Sequence, residues 1–548
     1  MGKLRKPLGT RAARPHLLEK CGHDARTPSK KRGFWRLPME TRLAAYKWLA
    51  KPEPITDIVS EEAFDIVILG AGAAGCTAAE AASSEGASVV CCEKFSTFSA
   101  HGIDIGSVGT KVHKENGVEI DKALAARLIH EWGQHQANYF LIRTYTERSG
   151  EVLDYYIDMA RDVGLTVRLN DEMTARADWN NLDDRYKQYQ SAHVFELTDR
   201  CHYKERKWSA GYFVEMVYDR AKSQGVDFRF NTSAERLMTE NGSVTGVIVK
   251  DNDGYKKLIA RNGVIMATGG ISDNKEMMSL WCPAALRSDF FENYPVGGNM
   301  GDGIVMGVWA GAAITRCNPA PIIHPVNLSV LSPGMNTSWL TVNRYGRRFS
   351  SEMAWEPIVT NARLNAPGNV MYAIWDSDYK DHLIKQEPLK AEKLLAGIDE
   401  GFSKAVESGE YTKADTLREL AGKIGVPADA LQRTIDKYNR WCELGRDDDF
   451  GVPERFLSPV RKRPFYASRI SAWLLSLPHG LHVDHNSQVL TEDDEPIGGL
   501  FAVGNVQGDF FANSYPVTLP GTSHGRSITF GHLVGRALAR RTVINAWQ

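Results

Sequence analysis

The run Phe64-Asp-Ile-Val-Ile-Leu69 passes without a break into Gly70-Ala-Gly72-Ala-Ala-Gly75, and no other feature of the chain restricts its fold as tightly. The six residues up to Leu69 are β-prone and mostly apolar, and they read as a buried strand. A small-residue stretch from Cys76 to Glu85 reads as a helix and Gly86 ends it; Ala87-Ser-Val-Val-Cys-Cys92 reads as a second buried strand, which delivers Glu93 23 positions after the first glycine. Together these predict a β-α-β unit that binds a dinucleotide. Gly70 permits the tight turn, Gly72 lets backbone approach a pyrophosphate and Gly75 lets the helix pack on the strand, while the helix N-terminus presents unpaired N–H groups to phosphate. Glu93 can accept hydrogen bonds from ribose hydroxyls, and its charge repels a 2′-phosphate, so FAD or NAD is expected rather than NADP.

Three glycine clusters lie far downstream. Asn262-Gly-Val-Ile-Met-Ala-Thr-Gly-Gly270 and Gly498-Gly-Leu-Phe-Ala-Val-Gly504 read as strands ending in turns, and Gly301-Asp-Gly303 opens an apolar helical stretch. Between about Cys317 and Phe465 the pattern changes to mixed helices and irregular segments, with a charged helical region from Pro388 to Arg446. The expected fold is α/β: a Rossmann-like βαβ domain interrupted by a second domain of α+β character. No second strand–glycine–helix unit appears, so a dedicated nicotinamide domain is not expected.

With 548 residues, 43% hydrophobic and 24% charged, the chain has room for two or three packed units, and no apolar stretch approaches the roughly 18–20 residues of a spanning helix. A disulfide-stapled miniature and an integral helical membrane protein are both excluded. The net charge of −1 conceals an asymmetry, because residues 1–50 carry 13 Lys/Arg against 3 Asp/Glu and the remainder 53 against 64. Interrupted by Pro7, Pro15, Pro28 and Pro38 and lacking an apolar centre, the basic start reads as a flexible leader over residues 1–60, with Met39 an alternative first residue. A targeting peptide or a nucleic-acid arm is the alternative; no nucleic-acid partner is expected of the body of the chain. The eight cysteines form no C-x-x-C pair, so no iron–sulfur, zinc or haem site, no metal and a reducing cytoplasm are expected.

The glycine unit with Glu93-Lys94, then Ala267-Thr-Gly-Gly270, Gly301-Asp-Gly303, His324-Pro325, Val342-Asn343-x-x-Gly346-x-Arg348-Phe349-x-x-Glu352 and the closing Gly-Leu-Phe-Ala-Val-Gly504-Asn505 resemble, in this order, the flavoprotein family of fumarate reductase and succinate dehydrogenase over about residues 62–540. The resemblance implies non-covalent FAD and an FAD-binding domain over 61–317 and 476–548. It places a capping domain at 318–475, closing over substrate beside the flavin. It further implies that Gly70, Gly72, Ala74 and Gly75 hold the pyrophosphate, and that Glu93, followed by Lys94, holds the adenosine ribose. Ser99 and Gly102-Ile103-Asp104 would pass along the isoalloxazine, Ala234 would lie near the adenine, and Thr268, Gly269, Asp302 and Asn505 near the pyrophosphate and ribityl chain. Asn505 stands where the family usually has an acid. Thr522, Ser523 and His524 would begin a helix whose N-terminus faces the flavin pyrimidine and favours negative charge there.

The substrate side departs from the dicarboxylate reductases. Of their site residues only His324 has a counterpart. Leu331-Ser-Pro-Gly334 stands at the Thr-Glu pair, and Glu356, Ser476 and Thr518 fall near the donor arginine, the second histidine and the carboxylate-binding arginine. Burying two carboxylates without a guanidinium clamp costs several kcal/mol each, so fumarate is not the expected substrate. The stretch Ser514-Tyr515-Pro-Val-Thr-Leu-Pro-Gly521-Thr-Ser-His-Gly525 is similar instead to the active-site segment of flavin-dependent 3-ketosteroid dehydrogenases, with two additional residues between tyrosine and glycine. That similarity implies Tyr515 and the Gly521 amide as catalytic donors to a ketone oxygen. His324 and Glu356 are the substrate-binding candidates; Glu356, Tyr372 and Tyr379 are candidate proton donors.

The expected function is an FAD-dependent ene-reductase that passes hydride from flavin N5 to the β-carbon of an α,β-unsaturated ketone, such as a 3-oxo-Δ4 steroid or bile-acid-like molecule. Three alternatives stand beside it. These are the reverse ketosteroid dehydrogenation, reduction of a cinnamate- or urocanate-type acrylate with Arg526, Arg348 or His324 as its cation, and a flavin-holding protein without turnover. An external electron donor is the expected partner, whether a flavin reductase, a redox protein or NADH.

Overall fold

The computed structural model describes residues 46–170, 188–201, 203, 208–292, 294–326, 338–353, 356–388 and 391–544; the start of the leader and Leu331-Ser-Pro-Gly334 lie outside them. The chain divides into two units, Met1–Pro54 and Ile55–Gln548. In the first, one helical turn is described, Lys47–Leu49.

The second unit is built on the predicted β-α-β. Strand β1 (Ile58–Leu69) leads into helix α1 (Ala73–Ser83) and strand β2 (Val89–Cys92). Strand β3 (Asp227–Arg229) follows after an excursion, and β4 (Ser233–Glu240), β5 (Ser243–Asp251) and β6 (Gly254–Met266) form a meander. After the insertion come β7 (Gln488–Leu490), β8 (Pro496–Ala502) and the closing helix α2 (Thr522–Arg540). The sheet runs β7-β8-β6-β1-β2-β3, with β5 also on β6 and β4 on β5. Its centre is parallel, β8 to β6 to β1 to β2 to β3.

Strand β1 is longer than the apolar run that announces it. Ile66–Leu69 are wholly buried, as a strand covered on both faces must be, whereas Ile58–Asp65 alternates between half-buried and exposed. That polar half pairs with β6 from Ile58 opposite Tyr255 onward, so the ladder of a neighbour, not apolarity, sets its start. Helix α1 is nearly all small residues because α2 lies directly on it: a Cβ at Gly531 would sit 2.5 Å from Ala74 O and one at Gly535 2.4 Å from Ala78 O.

Between β2 and β3 the chain adds helices Tyr139–Asp162 and Ser209–Ser223 and a small antiparallel sheet of Ile105–Gly106, Ala192–Glu196 and Thr166–Leu169. The later insertion has its own four-stranded sheet, ordered Leu340–Asn343, Met371–Trp375, Phe465–Arg469, Tyr411–Ala414. Its core is aromatic, with Trp339, Trp375, Tyr379, Phe402, Tyr411 and Tyr466 packed together. A three-stranded sheet of Phe290–Phe291, Ser471–Ser476 and Ile322–Val326 joins the insertion to the dinucleotide half and sets His324 opposite Trp473. Among the described residues no helix is long and apolar enough to cross a membrane.

Candidate active site

The turn after β1 is shaped by close approach. A Cβ on Gly75 would lie 1.8 Å from the Gly70 carbonyl oxygen, so α1 can start against the strand only if that residue is glycine. Glu93 is buried at the end of β2, where its carboxylate accepts from the Ala71 amide at 2.8 Å and the Phe95 amide at 3.0 Å. The glycine turn thus helps to fix the acid through the Ala71 amide.

A cavity of about 160 Å³ opens beside it, lined by Gly70, Gly72, Glu93, Lys94, Ser99, Ala234, Thr268, Gly269 and Asp302 among others. Lys94 reaches across it to Asp302 at 2.7 Å and to the Gly297 carbonyl at 2.8 Å. The Thr268 hydroxyl in its wall is buried with no hydrogen-bond partner, a donor free for a ligand's phosphate or hydroxyl. A second cavity of about 300 Å³ shares Gly72, Ser99, Ala267, Gly269, Tyr294 and Asn299 with the first, and the two make one elongated cleft. Gly102, Ile103, Asp104, Gly504, Asn505, Ser523 and His524 line this wider part. An acid at one end, glycine backbone in the middle and a helix N-terminus at the other fit the ribose, pyrophosphate and flavin of FAD in turn.

At the wide end Gly521 caps α2 with φ +77°, and a Cβ there would lie 2.5 Å from the Gly106 amide nitrogen. Its carbonyl accepts from that amide at 2.8 Å, which pins the helix start to the small sheet. The Ser523 amide in the first turn donates to the Tyr515 hydroxyl oxygen at 3.0 Å. The phenol proton is thereby left for another acceptor. Burial pushes the Tyr515 phenol well above its ordinary range, against the opposing effect of the helix amide, so the group is a neutral donor. His524 donates from Nδ1 to the Asp104 carbonyl at 3.0 Å, and burial lowers its pKa so that the ring stays neutral. Asp104 is held by the Asn170 amide at 2.6 Å.

The cleft also brings in His324, Ser476, Gln188, Glu292, Tyr294 and Asn299; the last four carry no motif that would have singled them out, except that Asn299 precedes Gly301-Asp-Gly303. No lysine or arginine is among the described residues that line the wide cavity. Arg348 is enclosed in the insertion, paired with Glu352 at 2.7 Å and Asp447 at 2.8 Å. Arg526 lies behind the cleft wall. Tyr379 stacks on Phe402 at 4.3 Å in the aromatic core, and Tyr372 sits on the insertion's sheet; neither lines the cavity. Glu356 begins helix Glu356–Asn365, with its side chain outside the described residues. Gly75 faces Gly70 and not the cleft, and Thr522 is buried with its hydroxyl on the Leu519 carbonyl at 2.6 Å, so it helps start the helix without lining the cavity. Thr518 is likewise buried outside the lining, its carbonyl accepting from the Tyr189 amide. Among the described residues no cluster of His, Cys, Asp or Glu could hold a metal ion.

Such a cleft defines a flavoprotein of the βαβ class. The chain belongs to the FAD binding domain family, whose model matches residues 65–517, and FAD is its cofactor. It is 31% identical to a 3-oxosteroid 1-dehydrogenase of Mycolicibacterium smegmatis over 58% of this chain and 60% of that one. To an NADH:fumarate oxidoreductase of Klebsiella pneumoniae it is 26% identical over 91% of this chain and 50% of that one, so it spans about half the length of that relative. With a vinyl phenol reductase of Lactiplantibacillus plantarum it shares 25% identity over 88% of this chain and 98% of that one. Its fold is similar to that of the 3-ketosteroid-Δ4-(5α)-dehydrogenase of Rhodococcus jostii RHA1, solved with 4-androstene-3,17-dione, at a TM-score of 0.69 and 22% identity over 88% of this chain and 98% of that one.

Proposed function

We propose that the protein is an FAD-dependent oxidoreductase acting on a carbon–carbon bond next to a carbonyl, reducing an α,β-unsaturated ketone of the 3-oxo-Δ4 steroid type. One observation carries this. The wide cavity holds a neutral tyrosine hydroxyl with its proton uncommitted, and no described lysine or arginine lines it. A ketone needs a neutral donor, whereas a dicarboxylate needs cations.

Bound FAD, once reduced by the external donor, would supply the hydride. Tyr515, with its oxygen steadied by the Ser523 amide, donates to the ketone oxygen, and the Gly521 amide at the head of α2 is the second donor. These donors stabilise the negative oxygen that appears as hydride reaches the β-carbon; a proton added at the α-carbon completes the saturated ketone. Run backwards, the same groups assist desaturation, and the electron acceptor or donor decides the direction. Segment 318–475 serves as the cap, and His324, carried on the joining sheet, closes the substrate side. Electrons come from an external donor. The names of the steroid dehydrogenase relatives support the ketone; that of the vinyl phenol reductase supports a second substrate class, a phenol-bearing alkene, which likewise needs no lysine or arginine in the lining.

The test is anaerobic. The purified flavoprotein is reduced with dithionite and mixed separately with a 3-oxo-Δ4 steroid, 4-vinylphenol, cinnamate, urocanate and fumarate while flavin absorbance is followed. Fast reoxidation by the steroid is expected. Reoxidation by cinnamate, urocanate or fumarate alone overturns the ketone assignment.

A further inference from the structure

Among the described residues three arginine side chains are buried almost completely, and they are not treated alike. Arg348 has Glu352 and Asp447, and Arg363 has Asp289 at 2.5 Å. Arg526, on the second turn of α2 and fully buried, has no carboxylate within ion-pair distance among the described residues. It donates to the Gly504 carbonyl at 2.7 Å, the Gln507 side-chain oxygen at 3.1 Å and the Asn505 side-chain oxygen at 2.9 Å. Its Nε has no partner at all. The faces of Phe510 and Phe511, 5.6 and 4.8 Å from the guanidinium carbon, complete its surroundings. An unpaired buried charge is strongly unfavourable, and burial pushes the Arg526 pKa down to about 9, which still leaves it charged at neutral pH.

What this charge acts on is set by its neighbours. Gly504 and Asn505 are the wall of the wide cavity, and Ser523 and Ser527 of the same helix line that cavity too. Because Arg526 occupies the Asn505 oxygen, the Asn505 amide nitrogen is turned the other way, to the Ser476 hydroxyl at 3.1 Å, and Ser476 also lines the cavity. The arginine therefore stands one layer behind a wall that presents donors forward.

We propose that Arg526 is a positioning residue for the flavin: its uncompensated guanidinium makes the Gly504–Asn505 wall the positive pole of the cleft, so that bound FAD takes up negative charge more readily than over a neutral wall. The inference rests on FAD binding and is independent of which substrate is reduced.

Sulfite is a suitable probe, since its addition to oxidised flavin leaves negative charge on the ring. Its affinity for the holoprotein and the flavin midpoint potential are measured in wild type, Arg526→Lys, Arg526→Met and Asn505→Asp. Asn505→Asp places a carboxylate beside the guanidinium and cancels its charge while leaving its packing in place. Arg526→Met and Asn505→Asp are expected to weaken sulfite at least tenfold and to lower the potential by about 30 mV, the equivalent of tenfold for a two-electron couple. Arg526→Lys should stay within threefold of wild type. Wild-type sulfite affinity and potential in Asn505→Asp with FAD retained overturn the proposal, and that variant decides the matter if Arg526→Met does not fold.

Discussion

The two ends of the cleft are built by different means. At the adenosine end backbone does most of the shaping: Gly75 meets Gly70 at a distance only hydrogen allows, and the Glu93 side chain is itself fixed by two backbone amides, Ala71 in the glycine turn and Phe95 after β2. At the wide end the groups are side chains carried in from separate places, with Tyr515 before α2, His324 on the joining sheet, Gln188 near the small sheet and Glu292 beside strand Phe290–Phe291. The first arrangement tolerates one sequence and holds one cofactor. The second can be refilled without disturbing the fold, and relatives of this chain carry names as different as fumarate, steroid and vinyl phenol enzymes.

The sharpest break should come from Gly75→Val. It drives side-chain carbon into the Gly70 carbonyl and should abolish stoichiometric flavin in the purified protein, read from the absorbance ratio of flavin to protein; retained FAD would contradict the backbone-built account. Next is Arg348→Met in the cap. It strands Glu352 and Asp447 as buried unpaired carboxylates and should cost about 3–5 kcal/mol of unfolding free energy in urea, while the folded fraction keeps its flavin spectrum.

Tyr515→Phe tests the other end in isolation. The ring stays, the hydroxyl goes, and reoxidation of reduced flavin by a steroid enone should slow at least tenfold with FAD content unchanged. A similar rate in this variant would remove Tyr515 from the chemistry. The smallest effect is expected at His482, which bridges Asp509 at 2.7 Å and Asp494 at 2.8 Å outside the cleft. Burial opposes its charge, but the two carboxylates prevail and raise its pKa above the ordinary 6.5. A raised pKa contributes stability in full below the unfolded value and loses it as pH rises through the folded one, so unfolding free energy should decline above about pH 6.5. His482→Gln should flatten that decline.

How much of this was legible in the residues follows the same division. The β-α-β and the acid after β2 are written locally, in spacing and in glycine, because local backbone geometry decides them; the strand order is not, since β1 lies beside β6 from far along the chain. The α/β fold with an α+β insertion was legible for the same reason. Glu292, Tyr294 and Gln188 were not, since they enter the cleft through tertiary packing and sit in no pattern of their own. Tyr372 and Tyr379 show the converse error. A tyrosine in a cap reads as a proton donor until the structure places it, and the insertion spends its aromatics on a core that a small four-stranded sheet could not otherwise fill. The length of β1 was also hidden, because its first half is held by ladder pairing and not by apolar burial.

The placement of β8 and α2 has a further consequence for biosynthesis. β8 pairs with β6 across Leu500 and Val264, and α2 lies on α1, so strands made early wait for partners made much later. A ribosome will have released the entire insertion before the sheet it interrupts can close. The insertion's antiparallel sheet, paired strand to strand within residues 340–469, can form while synthesis continues, whereas the parallel sheet must be finished after it. Closure of the cleft over its cofactor then depends on β8 and α2 and not on the first β-α-β unit alone.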